Sequence, residues 1–376
     1  MRVAVLMDSF KGSLTSAEAG AAVKEGILKA DDSIEVIVRP FADGGEGTLD
    51  AFLYAGGCKE TVYVSDPLGR RIEASYGILE DGCCVIESAT AIGLYLLEEK
   101  ERNPLYTSSI GLGEIIVAAW KKGVRDFIIG IGGSSTNDCG IGMLQALGVE
   151  ITDENGYRVT PGAYGLRDAT KIAAQHLLPG LSECRFQVAC DVQNPLCGEN
   201  GASKIYGPQK GATEKECVIM DQWMRQFAEL IKTVCPEADP DAKGAGAAGG
   251  LGFAITNFLS GKMRSGADIL FEKIRADELI RSCDLVITGE GRIDGQTAMG
   301  KAPVKVAALA KKYQKKVIAF GGSAGPGAEH CHEMGIDVIK EVMKPGMSLE
   351  EAMKKEVAFA NLSDASETMI KQMNPV

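Results

Sequence analysis

The chain has 376 residues, room for about two domains at roughly 150 residues each. Its 40 Lys and Arg against 51 Asp and Glu give a formal net charge of −11, which excludes a general binder of nucleic acid or of anionic membrane. Hydrophobic residues at 45% and charged residues at 24% exclude a disordered chain.

Strand-like apolar runs occupy residues 2–7, 35–41, 126–131, 284–288, 317–320 and 337–340. Helical periodicity follows at 16–30, 44–53, 139–147, 303–312 and 349–373. Alternating strands and helices of this kind predict a parallel sheet covered on both faces. Residues 60–93 differ: apolar and polar residues alternate, with turns at 66–69 and 81–82, which predicts an antiparallel meander. Residues 150–275 are less regular, with a strand at 185–189 and helices at 214–233 and 250–259. The predicted class is α/β: a doubly wound, mostly parallel sheet domain with an inserted second mixed α/β domain. Residues 1–59 and 276–376, together with 107–135, make the Rossmann-like domain; residues 60–275 make the insertion, with a cleft between the two.

The 11 Cys contain no CxxC pair and read as reduced thiols. The sequence enters a strand at once, without a signal-peptide pattern, and no apolar run approaches the ~20 residues of a membrane helix. A soluble cytoplasmic protein is expected, as monomer or homodimer, with no nucleic-acid or membrane partner.

Chemistry is expected outside the carboxyl ends of the parallel strands. The 46 glycines lie above the usual share of about 7%, and many fall there: Gly44 and Gly45, Gly132 and Gly133, Gly289 and Gly291, Gly321 and Gly322. Such loops let backbone N–H groups approach anionic oxygens, although αβ turns also use glycine for geometry alone. Asp8, Asp43, Asp138, Glu290 and Asp294 fall at the same strand ends. Carboxylates beside phosphate loops call for a divalent cation such as Mg²⁺; each can instead cap a helix or shape a turn. Lys11, Arg292 and Lys301 supply local positive charge, with solvated surface charges as the alternative.

Two fingerprints fail their context. Gly244-Ala-Gly246-Ala-Ala-Gly249 spells G-x-G-x-x-G but follows a polar, proline-containing stretch instead of a strand. Residues 295–302 approach a P-loop, yet Ala302 stands where the Mg²⁺-binding hydroxyl belongs. His330 and His332 lack a matching ligand pair and read as surface residues. In the insertion, a buried strand ends at Asp191, with Asn194 three residues on. A carboxylate so placed suits a base that takes a hydroxyl proton in phosphoryl transfer; an Asx turn ending the strand is the equal alternative.

Taken together, DSFKGSLTS (8–16), PFADGGEGT (40–48), IGGSSTNDCGIGMLQALG (131–148), CDVQNPLCG (190–198), YGPQKGA (206–212), GAAGGLG (246–252), SGADI (265–269) and TGEGRIDGQT (288–297) resemble the type I glycerate kinases, the bacterial glycerate 2-kinase family. The resemblance implies ATP as co-substrate, Mg²⁺ as cofactor, D-glycerate as acceptor and 2-phosphoglycerate as product, on an enzyme without a Walker A loop. The residue roles rest on the chemistry of the side chains and not on the resemblance: in a kinase of this kind Asp191 is the expected base, steadied by Asn194, and Lys11 neutralises phosphate charge. Gly44, Gly45, Gly289, Gly291 and Lys301 hold nucleotide phosphates. Asp43, Asp294 and Glu290 lie near the metal, and Arg292, Ser134 and Ser135 hold the glycerate carboxylate. The alternative is a non-catalytic nucleotide or sugar-acid sensor, which needs the glycine rim but not the ordered charges. A nicotinamide-dependent dehydrogenase is disfavoured by the missing strand–GxGxxG–helix unit.

Overall fold

Residues Val3, Ala4, Val5, Leu6 and Met7 are all fully buried, as a strand covered on both faces requires. A computed structural model describes residues 1–42 and 47–373 and divides the chain into two compact units. The first comprises Met1–Asp43, Asp50–Ala55 and Ala267–Val376, and the second Gly44–Leu49 and Gly56–Gly266.

In the first unit Arg2–Met7 lies inside a five-stranded, wholly parallel sheet. The order is Val338–Glu341, Lys316–Ala324, Leu285–Ile293, Arg2–Met7, Glu35–Val38. Val3, Val5 and Met7 share a core with Ala19, Val23 and Ile27 of the helix Ser16–Ala30 and with Leu362 and Ile370 of Lys355–Met373. These two helices approach so closely that a Cβ on Gly26 would stand 2.0 Å from the Ser363 carbonyl oxygen. The helix Ala302–Lys312 packs on Leu285–Ile293 and Lys316–Ala324. The single helix expected over 349–373 is two, Leu349–Ala352 and Lys355–Met373. The one expected over 44–53 is Thr48–Tyr54 among the described residues.

The second unit holds a six-stranded sheet in the order Lys262–Arg264, Arg185–Ala189, Asp126–Gly130, Cys84–Glu87, Arg71–Leu79, Gly57–Ser65. The meander is present as Gly57–Ser65 against Arg71–Leu79 and Arg71–Leu79 against Cys84–Glu87, both antiparallel. Cys84–Glu87 then pairs in parallel with Asp126–Gly130, so the sheet changes sense at that strand. Residues 107–135, expected in the first unit, belong here. Asp126–Gly130 takes its ladder from Cys84–Glu87 and Arg185–Ala189, and the helix Ile110–Lys121 buries Leu112, Ile115 and Ile116 in this unit's core. A short antiparallel pair, Glu150–Thr152 with Lys171–Ala173, completes the strands. All eleven Cys are free thiols. Among the described residues no helix is long and apolar enough to cross a membrane.

Candidate active site

The first unit builds a site at one strand edge. The glycines in TGEGR suggest a strand ending at Thr288, but it continues to Ile293. Lys316–Ala324 runs beside it, matching Gly289 to Phe320, Glu290 to Gly321 and Arg292 to Ser323, which supplies the extra ladder. Arg2–Met7 stops at the level of Gly289, so Glu290 and Arg292 project beyond it. Gly289 has a packing reason of its own: a Cβ there would meet the Phe320 carbonyl oxygen at 2.2 Å and Met7 Cε at 2.7 Å. At Gly291 a Cβ would lie 3.4 Å from Phe10 Cα and 3.5 Å from Lys11 N.

A cleft of about 400 Å³ opens over this edge, a size typical of small-molecule sites. Lys11, Glu290, Arg292, Asp294 and Lys301 line its polar part, and Val342, Met343, Leu349 and Met353 line an apolar part. Glu290 is buried; its Oε1 accepts the Thr297 hydroxyl at 2.6 Å, and its Oε2 lies 3.8 Å from Lys301 Nζ. Asp294 caps the short helix Gly295–Ala298, its Oδ1 accepting the Gln296 N–H at 2.9 Å and its Oδ2 lying 3.3 Å from Arg292 Nε. The Thr297 hydroxyl in turn accepts the Asp294 N–H at 3.1 Å. The Thr297 hydroxyl thus joins the Glu290 carboxylate to the Asp294 backbone. Sequence reasoning passed over it, although Asp294 and Thr297 stand at capping-box spacing.

Asp43, Gly44 and Gly45 lie outside the described residues. Among the described residues no group of three or more His, Cys, Asp or Glu is arranged to hold a metal. Glu290 and Asp294 are nevertheless hard oxygen donors lining one cleft. Mg²⁺ commonly takes one or two carboxylates and completes its shell with phosphate oxygens and water, so the donor chemistry fits. His330 and His332 are exposed, as expected of surface residues.

The second unit holds the remaining candidates. Asp191 is exposed, just past the end of Arg185–Ala189. Asn194 shapes the same loop: its Nδ2 donates to the Asn200 carbonyl at 2.8 Å and its Oδ1 accepts the Tyr206 hydroxyl at 2.6 Å. Ser135 does not suit the carboxylate contact expected of it. It is fully buried, its hydroxyl donates to the Ile92 carbonyl at 2.9 Å, and its own carbonyl accepts the Thr107 hydroxyl at 2.8 Å. Ser134 retains 7% exposure, and its Oγ accepts from Lys210 Nζ at 3.1 Å. Lys210 also donates to the Thr136 carbonyl at 2.6 Å and is itself buried.

Asp138 is enclosed by four donors: Ser109 N at 2.9 Å, Ser109 Oγ at 2.8 Å, Gly140 N at 3.1 Å and Gly142 N at 3.2 Å. Burial pushes its carboxyl up despite those bonds, and its place is that of a loop bracket. Burial pulls the Lys210 ammonium down to about 7, with the Asp138 charge opposing. Sequence reasoning did not single out Lys210. The available signal was its setting: Pro208 opens a tight turn and Gly211, at φ +97°, closes it, where a Cβ would meet the Arg102 carbonyl oxygen at 2.1 Å. The G-x-G-x-x-G glycines serve packing. A Cβ on Gly249 would lie 2.1 Å from the Thr136 carbonyl oxygen, and one on Gly246 2.2 Å from that of Pro195.

A family model described as the glycerate kinase family matches residues 3–374. The chain is 43% identical over 368 residues to the glycerate 2-kinase of Escherichia coli K12, covering 97% of this chain and 96% of that one. It is 42% identical over 355 residues to a glycerate kinase of Halalkalibacterium halodurans, covering 94% and 93%. A crystal structure of a candidate glycerate kinase 2 from Salmonella typhimurium LT2 superposes with a TM-score of 0.91 at 39% identity, covering 99% of this chain and 98% of that one. The chain belongs to the glycerate kinase family.

Proposed function

We propose that the protein is an ATP-dependent glycerate kinase that transfers the γ-phosphoryl group of ATP to the 2-hydroxyl of D-glycerate, giving 2-phosphoglycerate and ADP. The observation that carries this reading is the end-to-end likeness to proteins named glycerate kinase and glycerate 2-kinase. The alternative of a binding module without turnover has no support among those relatives.

The cleft of the first unit suits a nucleotide, with an apolar part for a base and a cationic part for phosphates. Lys11 and Lys301 neutralise the triphosphate as its terminal P–O bond loosens, which is where most of the catalysis of a loose phosphoryl transition state lies. Glu290 and Asp294 would hold Mg²⁺, which when bound would supply further charge neutralisation on the phosphates. Arg292 uses Nε on Asp294, and its terminal guanidinium nitrogens are assigned to an anionic group of the substrates. In the second unit Ser134 is the proposed donor to the acceptor carboxylate. Asp191 accepts the acceptor's hydroxyl proton as the new P–O bond forms and the bond to the bridging oxygen of ADP breaks. ADP release coupled to a colour-forming reaction tests the reading. Turnover that depends on both ATP and D-glycerate is expected, and nucleotide binding without glycerate-dependent ADP release would refute it.

A further inference from the structure

We propose that Lys210 is a positioning residue which, by donating into Ser134 Oγ, aims the Ser134 hydroxyl proton at an anionic oxygen of the bound acceptor. The inference rests on the reading above, in which Ser134 meets the acceptor carboxylate, and assigns the group that prepares it.

A hydrogen inventory carries the argument. In its charged form Lys210 only donates, so at 3.1 Å Ser134 Oγ is the acceptor in that contact whenever the lysine is protonated. The single hydroxyl proton of Ser134 then turns away from Lys210, and it has no acceptor among the described residues. Lys210 spends a second proton on the Thr136 carbonyl at 2.6 Å, which anchors its chain against the same loop. The direct partners of this buried lysine are neutral oxygens, and the Asp138 charge offsets only part of the cost of burying the ammonium, which leaves the rest to be answered. An anionic oxygen on the far side of Ser134 would do so, because a donor strengthened by a neighbouring cation binds anions best. The same loop carries two further buried oxygens without a hydrogen-bond partner among the described residues, Thr136 Oγ1 and Asn137 Oδ1. A purely packing role would not need the ammonium: a methionine would fill the space.

Steady-state kinetics of the full chain with Lys210→Met, Ser134→Ala and the double substitution decide the matter, with folding checked by circular dichroism and thermal melting. Each single change is expected to raise KM for D-glycerate about tenfold, the scale of one hydrogen bond to a charged group, while KM for ATP and kcat hold. The double variant should be no worse than Ser134→Ala, because Lys210 acts through that hydroxyl. Additive losses, or a Lys210→Met variant whose KM for D-glycerate is unchanged, would overturn the proposal. Should Lys210→Met fail to fold, Ser134→Ala still decides, since an unchanged KM there removes the hydroxyl from recognition. Absence of glycerate turnover in the unsubstituted protein would instead overturn the functional reading itself.

Discussion

The Thr297 hydroxyl donates to Glu290 Oε1 at 2.6 Å while accepting the Asp294 N–H at 3.1 Å, so one side chain joins the Glu290 carboxylate to the backbone of Asp294 in the first unit's cleft. Valine keeps the shape and loses both bonds. Thr297→Val should lower stability by about 2 kcal/mol, combining a lost cap with a bond to a charged group, and should raise KM for ATP. Urea unfolding and initial rates read the two effects. Wild-type values for both would show that Thr297 only fills space.

Lys210 gives a pH signature with a definite sign. Its folded pKa is about 7 against 10.5 for the ordinary group, so between those values the unfolded chain binds more protons than the native one. Stability from this residue therefore rises as pH climbs through that window. Unfolding measured at pH 7 and pH 9.5 should show a gain of about 3 kcal/mol for the native chain relative to Lys210→Met. Equal pH slopes for the two proteins would contradict the burial of a titrating ammonium.

Gly26 lies where the helices Ser16–Ala30 and Lys355–Met373 come closest. Alanine there would favour the helix by about 1 kcal/mol on propensity alone. A Cβ 2.0 Å from the Ser363 carbonyl oxygen meets backbone that cannot rotate away, so the clash should win. Gly26→Ala is expected to destabilise by about 1–3 kcal/mol in a thermal melt. A rise in Tm would mean that the helices separate freely.

If Asp191 takes the hydroxyl proton, Asp191→Asn should cut kcat about 10²- to 10⁴-fold while moving KM for D-glycerate little. A rise in KM with kcat intact would reassign it to binding.

How far the sequence could be read follows from which forces act locally. Residues 2–7 are legible because β-branched and apolar side chains fill both faces, and the structure places Arg2–Met7 inside a sheet, between Leu285–Ile293 and Glu35–Val38. The strand Leu285–Ile293 was read short because Gly289 and Gly291 look like loop. Only its neighbour Lys316–Ala324, some thirty positions on, gives those glycines a ladder and tight packing. Residues 107–135 were assigned to the wrong unit because strand propensity does not say which strand is the partner. At the candidate site, Lys11, Glu290, Arg292, Asp294 and Lys301 were legible as a charged strand-end group and do line one cleft. Ser135 was misjudged because a serine in a polar loop looks available, whereas its hydroxyl is consumed by Ile92. Lys210 escaped notice because a lone lysine ordinarily sits in water, and only the turn from Pro208 to Gly211 carries it inside.

The most direct test of the whole account is a proton-coupled phosphorus NMR spectrum of the product formed from ATP and D-glycerate. Phosphate on the 2-oxygen couples to a single carbon-bound proton, so a new phosphomonoester doublet should grow as ADP accumulates. A triplet would place the phosphate on the terminal CH₂ oxygen and contradict the proposed position. A spectrum showing ATP unchanged, with no new monoester, would contradict the kinase itself.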